Sequence, residues 1–216
     1  MLNLIYLVAI TAEAMTGALA ARRRNMDVFG VLVIAFVTAL GGGTVRDIFL
    51  GHFPVAWTQH PGYLYLVLSA GLLTMLTAPF LRHLREIFLV LDAMGLMAFT
   101  LIGCNVALTM GYAVPVVMIA GMLTGVFGGV LRDVLCNRVP VVFQRELYAS
   151  VSLAAGGLFL LLRTADVDPD LSTAVSFSLG LALRLVAIWR GWRLPTSAQS
   201  EAIKVDREDR HGALHE

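Results

Sequence analysis

Two matching Arg-Asp pairs, Arg46-Asp47 and Arg132-Asp133, each follow adjacent glycines by about one helical turn in apolar surroundings. The surrounding segments read TALGGGTVRDIFLGHFPV from Thr38 and TGVFGGVLRDVLCNRVPV from Thr124. A spacing of 86 positions relates six pairs of shared residues: Thr38 and Thr124, Gly42 and Gly128, Gly43 and Gly129, Arg46 and Arg132, Asp47 and Asp133, and Pro54 and Pro140. Agreement at one constant spacing indicates an internal duplication.

The paired charges allow two interpretations. An isolated Arg near a membrane surface often only extends its side chain to water. Two identical pairs at equivalent places favour a functional role, in which each Asp neutralises its Arg or accepts hydrogen bonds from backbone donors freed by a helix break.

The glycines before these pairs, Gly41 to Gly43 in one copy and Gly128 with Gly129 in the other, predict weak points in two helices. Each glycine costs about 1 kcal/mol relative to alanine inside a helix. A kink there would free carbonyl oxygens, which suit a dehydrating alkali cation. The alternative is that the glycines only let neighbouring helices approach closely.

Two further carboxylates, Glu13 and Asp92, lie inside apolar segments. An acid within a bilayer must pair, hold a proton or face a water-filled cavity, so it indicates a functional site, although an internal hydrogen bond between helices is the plainer alternative. The triplets Glu13-Ala14-Met15 and Asp92-Ala93-Met94 predict that these acids are repeat partners at a spacing of 79, with about seven extra residues in the link between the fourth and fifth spans. Arg184 is predicted to be an anchor that extends to the membrane surface.

Composition places these residues in a membrane protein. Of 216 residues, 58% are hydrophobic and 14% charged, and the mean hydropathy is +0.78. A bilayer core requires about 20 helical residues per span. Seven segments meet this length, and they predict spans over Leu4–Ala21, Val28–Leu50, Tyr63–Leu81, Ile87–Cys104, Ala113–Val134, Leu147–Leu162 and Leu171–Ile188.

Basic residues in the short links predict the orientation, because such links stay cytoplasmic. The basic links follow the first, third, fifth and seventh spans, with Arg22 to Arg24, Arg82 and Arg85, Arg138 and Arg145, and Arg190 and Arg193. This pattern predicts an outside N-terminus and a cytoplasmic C-terminus in the bacterial inner (plasma) membrane.

The duplication predicts two three-span repeats, over residues 1–82 and 83–165, followed by a seventh helix over 166–190 and a polar cytoplasmic tail over 191–216. An odd number of spans makes the second repeat enter the membrane from the opposite side. The predicted fold is therefore an all-α integral membrane protein with inverted repeats, an arrangement that recurs in transport proteins.

The sequence also argues against several classes of protein. The net charge of +1 gives no basis for nucleic-acid binding, and the histidines and the two cysteines have no metal-ligand spacing. The absence of a nucleotide-binding loop or nucleophile motif predicts that the protein is neither an enzyme nor an ATP-driven pump. No cofactor or bound metal is expected beyond a permeant potassium or sodium ion.

The paired GGGTVRD and GGVLRD motifs, the prolines that follow them and the 3+3+1 span pattern resemble prokaryotic members of the trimeric intracellular cation channel family, whose repeated half is also known as a bacterial glycine-transporter domain. The resemblance covers about residues 3 to 190. It implies a homotrimer with a potassium- and sodium-conducting pore in each protomer, lined by glycine-kinked second and fifth spans. Gly41, Gly42, Gly43, Gly128 and Gly129 would then form the kinks, flanked by Arg46, Asp47, Arg132 and Asp133.

Three functions follow as hypotheses. A passive monovalent-cation channel agrees with inverted repeats, glycine-rich helices and the lack of an energy-coupling motif. A secondary transporter for glycine or another small zwitterion uses the same kind of fold. A non-conducting scaffold leaves Glu13, Asp92 and the paired motifs unexplained.

Overall fold

The computed structural model describes residues 2–80, 83–144 and 147–192. Arg82, Arg145, Arg193 and the remainder of the predicted tail lie outside the described residues. Within them the chain forms nine α-helices: α1 (Leu2–Arg22), α2 (Val28–Leu50), α3 (Ala56–Gln59), α4 (Gly62–Thr77), α5 (Leu84–Thr109), α6 (Val114–Leu135), α7 (Val141–Gln144), α8 (Leu147–Thr164) and α9 (Pro169–Trp189).

Seven of these helices are long and apolar enough to cross a membrane, with α4 extended to Phe80 by a 3₁₀ turn. The seven predicted spans are confirmed, with shifted ends. The largest difference is in α5, which runs for 26 residues, well beyond both predicted ends at Ile87 and Cys104. Along its length α5 packs against α1, α6, α8 and α9.

Local signals explain where the helices begin and end. The side chain of Asp27 accepts a hydrogen bond from the Gly30 amide at 2.8 Å and caps α2, and Asp168 caps α9 in the same way. Gly51 ends α2 with φ of 67°, a left-handed conformation that glycine adopts without strain.

The bundle is built around α1 and α5, which are the two most buried spans. The buried face of α1 is largely alanine, glycine and threonine, and such small residues let helices approach closely where the surrounding lipid provides no hydrophobic drive for association. Helices α2 and α6 cross beside this pair, and α9 packs on α5 and α8 outside the duplication.

The backbone shows a repeat spacing of 86 through the whole duplicated part. Left-handed conformations occur at Asn25 and Gly111, after α1 and α5, and at Gly51 and Asn137, after α2 and α6. Each pair is 86 positions apart, which is the spacing of the sequence motif. The links after α1 and α5 are therefore equivalent and contain no insertion.

The predicted equivalence of Glu13 and Asp92 is wrong. Because the helices match at 86, Asp92 is equivalent to Tyr6, and Glu13 is equivalent to Phe99. The spacings of 86 and 79 differ by seven residues, which is about two helical turns. Positions seven apart lie on the same face of a helix, so the similar triplets suggested the wrong alignment.

Candidate functional site

The central feature is the crossing of α2 and α6 at their glycines. A Cβ atom added to Gly42 would overlap the carbonyl oxygen of Thr124, and one added to Gly128 would overlap the carbonyl oxygen of Thr38. These reciprocal contacts place the repeat axis at the crossing and run the two helices antiparallel. At Gly42 and Gly128, close helix packing is therefore directly visible.

The neighbouring glycines differ from this pair. A Cβ atom added to Gly43 would meet only the Arg46 guanidinium, at 3.8 Å, and one added to Gly129 would lie 3.4 Å from the Arg132 Nη2 and Tyr148 hydroxyl atoms. Helices α2 and α6 both remain α-helical through their glycines. Gly43 and Gly129 thus leave space beside the two arginines and do not lie at the contact between α2 and α6. The predicted kinks stay a prediction.

The threonines of the motif take part in the same packing. The hydroxyl groups of Thr38 and Thr124 each donate to the carbonyl four residues earlier, at 2.6 Å. A Cβ atom on Gly17 of α1 would lie 2.7 Å from the Thr38 hydroxyl, and Gly103 of α5 contacts Thr124 equivalently. Each threonine is therefore enclosed by glycines of neighbouring helices.

At one end of the crossing lies the Arg46 cluster, formed by Arg46, Asp47 and His52. The Asp47 Oδ1 atom accepts hydrogen bonds from Nε and Nη2 of Arg46 at 3.0 and 2.7 Å and lies 3.0 Å from the His52 Nδ1 atom. Asp47 is fully buried, whereas the His52 side chain is 38% exposed, so this cluster reaches the edge of the bundle.

At the opposite end lies the Arg132 cluster, formed by Arg132, Asp133, Asp92, Glu13 and Thr16. The guanidinium of Arg132 is fully buried. Its Nε atom donates to Asp133 at 2.9 Å and its Nη1 atom donates to Asp92 at 2.8 Å and to the Thr16 hydroxyl at 3.1 Å. A Glu13 carboxylate oxygen lies 3.9 Å from the same Nη1 atom. One arginine thus joins acids from three helices.

Asp47 and Asp133 have the same second role. The other oxygen of Asp47 accepts from the Ala56 amide at 3.3 Å, and that of Asp133 accepts from the Val141 amide at 3.1 Å. These amides begin the four-residue helices α3 and α7, which follow Pro54 and Pro140 in the two repeats. Each aspartate therefore ties a short helix to the end of the α2–α6 crossing, where it satisfies an otherwise unpaired donor.

The two clusters are not chemically equivalent, although the repeats place them symmetrically. Tyr6 and Phe99, with ring centroids 6.3 Å apart, line the crevice beside Arg46. Their equivalents beside Arg132 are Asp92 and Glu13. The duplication has thus kept the Arg-Asp pair at both ends and placed an additional acid pair at one end only.

Both clusters are tightly packed. The crevice beside Arg46 and Asp47 holds a cavity of about 10 Å³, roughly the space of one water molecule. The equivalent crevice beside Arg132 and Asp133 has essentially no free volume. The structure therefore shows a closed arrangement at these two places.

The structure also identifies residues that the sequence did not single out. Thr16 joins Glu13 to Arg132, and the Phe88 ring lies 4.7 Å from the Arg132 guanidinium carbon. Neither has a motif equivalent in the other repeat. The expectation that Arg184 extends to water is wrong, because Arg184 is buried with its guanidinium 4.7 Å from the Tyr148 ring. The Tyr148 ring makes a cation–π contact with the buried guanidinium.

This architecture defines a class of protein: an integral membrane protein of two inverted three-helix repeats and a seventh helix, with a buried charge cluster at each end of the repeat interface. The chain belongs to the family described as glycine transporter, whose model matches residues 3–79 and again residues 89–164. The two matched stretches begin 86 positions apart, as the structural repeats do.

Curated relatives are bacterial membrane proteins. The UPF0126 inner membrane protein YadS of Escherichia coli K12 is 36% identical over 197 residues, which cover 90% of this chain and 95% of the relative. A UPF0126 membrane protein of Vibrio cholerae is 38% identical over 203 residues, covering 92% of this chain and 83% of the relative.

Solved structures of cation channels share the fold. The TRIC trimeric intracellular cation channel orthologue of Rhodobacter sphaeroides is 31% identical, with a TM-score of 0.85 over 88% of this chain and 98% of that one. Another TRIC cation channel is 34% identical, with a TM-score of 0.83 over 90% of this chain and 96% of that one. The resemblance drawn from the paired motifs is confirmed, and these neighbours are channels rather than enzymes.

Proposed function

We propose that the protein is a passive channel for monovalent cations, potassium and sodium, with a path inside each protomer that follows the α2–α6 crossing from one charge cluster to the other. The observation that carries this proposal is the pair of buried Arg-Asp clusters at opposite ends of one inverted-repeat interface. Similarity to cation channels at TM-scores up to 0.85 supports it.

The charges of the two ends favour cations. Arg46 and Arg132 each donate to an adjacent aspartate, which offsets the positive charge of each guanidinium. Asp92 adds a second carboxylate at the Arg132 end. An acidic site with low-dielectric walls raises the local cation concentration.

Conduction requires the closed arrangement to open. The crossing is held by backbone-to-backbone contacts at Gly42 and Gly128, which a small helix displacement would release. Carbonyl oxygens exposed by such a displacement would offer ligands to a dehydrating cation. Gly43 and Gly129 extend this small-residue path towards the clusters, whereas Gly41 packs against the Leu131 side chain.

The channel is proposed to act as a homotrimer, which is the state that the names of the similar structures give for those proteins. Its proposed location is the bacterial inner membrane, with potassium and sodium as permeant ions and no cofactor.

The proposed orientation places the N-terminus outside and the C-terminus in the cytoplasm. A reporter active only in the periplasm should be silent when fused after Leu194, and a cytoplasm-active reporter at the same place should work, because the arginine-rich links stay cytoplasmic. Fusion at Gly111, in the link between α5 and α6 that has no Lys or Arg, is the matched control and should give the opposite pair of signals. Equal signals at both sites would contradict the orientation.

A secondary transporter for glycine or another small zwitterion is the second candidate, and the family's description favours it. Such a substrate needs a guanidinium for its carboxylate and an acid for its ammonium group. Arg46 and Arg132 both already donate to their own aspartates, which disfavours a site where either guanidinium binds a substrate carboxylate.

Purified protein in potassium-loaded liposomes tests the two candidates together. The channel should release potassium when a proton ionophore provides charge balance, and it should accumulate no labelled glycine, since a passive path couples no second solute. Uptake of glycine without potassium release would reverse the assignment. Protein-free liposomes carried through the same reconstitution are the control.

A further inference from the structure

The hydrogen bonds around Thr16 determine where a proton lies in the Arg132 cluster. The Thr16 hydroxyl oxygen has three polar neighbours: the Glu13 backbone carbonyl at 2.9 Å, a Glu13 carboxyl oxygen at 2.8 Å and the Arg132 Nη1 atom at 3.1 Å. A hydroxyl group has one hydrogen to donate and two lone pairs to accept with.

Without a hydrogen shared between two acceptors, the three contacts can be satisfied together in one way. The carbonyl only accepts, so it takes the Thr16 hydrogen, and the guanidinium only donates, so it uses one lone pair. The remaining lone pair then requires a donor, and the Glu13 carboxyl group is a donor only when it is protonated. An ionised Glu13 would place two acceptors against a single hydroxyl hydrogen.

The charges point the same way. Glu13, Asp92 and Asp133 all lie within 4 Å of nitrogen atoms of one buried guanidinium. If all three acids were ionised, the cluster would carry two uncompensated negative charges out of contact with water, which is strongly unfavourable. A proton on Glu13 removes one of them.

Glu13 is also the most weakly bound of the three acids. Asp92 and Asp133 accept hydrogen bonds from Arg132 at 2.8 and 2.9 Å, whereas Glu13 lies 3.9 Å away. Gly95 of α5 makes room for the Glu13 carboxyl group, which any side chain at Gly95 would overlap.

The ionisable groups facing Glu13 come from several elements. Helix α5 contributes Asp92, α6 contributes Arg132 and Asp133, and α8 contributes Tyr148. The Arg184 guanidinium of α9 lies 4.7 Å from the Tyr148 ring at this end of the bundle. Arg23, in the link after α1, has its guanidinium 5.5 Å from the Phe88 ring of α5. Helices α2 and α4 also pack on α1 but add no ionisable group near Glu13 among the described residues.

We propose that Glu13 is a proton-binding site: its carboxyl group is protonated at neutral pH, donates to Thr16, and releases its proton as the pH rises. Release adds one negative charge to the Arg132 end. If the protein conducts as proposed above, alkaline pH should then increase potassium current, by about two- to threefold for an ion in a hydrated path about 8 Å from the new charge.

Infrared spectroscopy of the reconstituted protein tests the proton directly and does not depend on conduction. The carbonyl stretch of a protonated carboxyl group should be present at neutral pH, unchanged when choline replaces potassium, and absent in Glu13→Gln. Glu86→Gln, which alters an exposed acid of α5, is the matched control and should keep the band. A missing band, or a band that survives in Glu13→Gln, would overturn the proposal.

Thr16→Val provides a second test of the proposal if the Glu13→Gln protein does not assemble. This variant removes the acceptor of the Glu13 proton but preserves side-chain volume, so the band should move to higher frequency, and an unmoved band would count against the proposal. Potassium current without the infrared band would refute the Glu13 proton site but leave the channel proposal standing. The band without potassium current would refute the channel but leave the proton site standing.

Discussion

A protein carrying Gly42→Ala and Gly128→Ala should assemble poorly, whereas one carrying Gly43→Ala and Gly129→Ala should assemble normally and show strongly altered potassium flux. The first pair places methyl groups against the Thr124 and Thr38 carbonyl oxygens, and forcing atoms into a packed interface costs about 1–3 kcal/mol. The second pair has room for a methyl group beside the arginines.

The two double variants separate packing from helix flexibility. Alanine at Gly43 and Gly129 favours straight helix by about 1 kcal/mol at each site, enough to shift an open–closed balance by about thirtyfold in total. The assembled fraction is measured by native mass in mild detergent, and flux is then expressed per assembled protein. Normal flux in the Gly43→Ala and Gly129→Ala protein would mean that these glycines provide space only and that the predicted kinks have no role in gating.

Replacing Arg132 with glutamine should destabilise the protein far more than replacing Arg46. Loss of the Arg132 guanidinium leaves Asp92 and Asp133 without their charge partner in a buried site, and breaking a buried ion pair from one side costs about 3–5 kcal/mol. Arg46→Gln is the matched control, because Asp47 keeps contacts with the Ala56 amide and His52 at an end that reaches solvent.

The measurement is thermal aggregation of the detergent-solubilised protein. Adding Asp92→Asn to Arg132→Gln should recover part of the lost stability, because it removes one of the unpaired acids, and Asp92→Asn alone should be milder than Arg132→Gln. Equal losses for Arg132→Gln and Arg46→Gln would contradict the unequal chemistry of the two clusters.

The sequence predicted the features that follow from strong local patterns. Apolar segments of bilayer length predicted seven spans, and the spacing of 86 between the two Arg-Asp motifs predicted inverted repeats. Both signals are read directly from the order of residues along the chain, so they require no knowledge of how the helices pack. The four-residue helices α3 and α7 carry no such periodicity, since each depends on an aspartate eight or nine positions earlier.

The arrangement of the acids could not be predicted in the same way. Glu13 and Asp92 were recognised as acids whose burial in a membrane is energetically unfavourable, but the similar triplets around them suggested symmetric positions. Their convergence on Arg132 depends on how α1, α5 and α6 pack, as does the inward position of Arg184. The constant spacing of the left-handed residues, Asn25 with Gly111 and Gly51 with Asn137, is a signal that could have corrected the alignment.

The reversal potential of the purified protein in a planar bilayer tests the central claim most directly. Under a tenfold gradient of potassium chloride, a cation-selective channel should reverse near the potassium equilibrium value, about 59 mV for one monovalent ion, and glycine added to either side should leave that value unchanged. A reversal potential near zero, a value of the sign expected for chloride, or the absence of current with retained glycine uptake would contradict a cation channel.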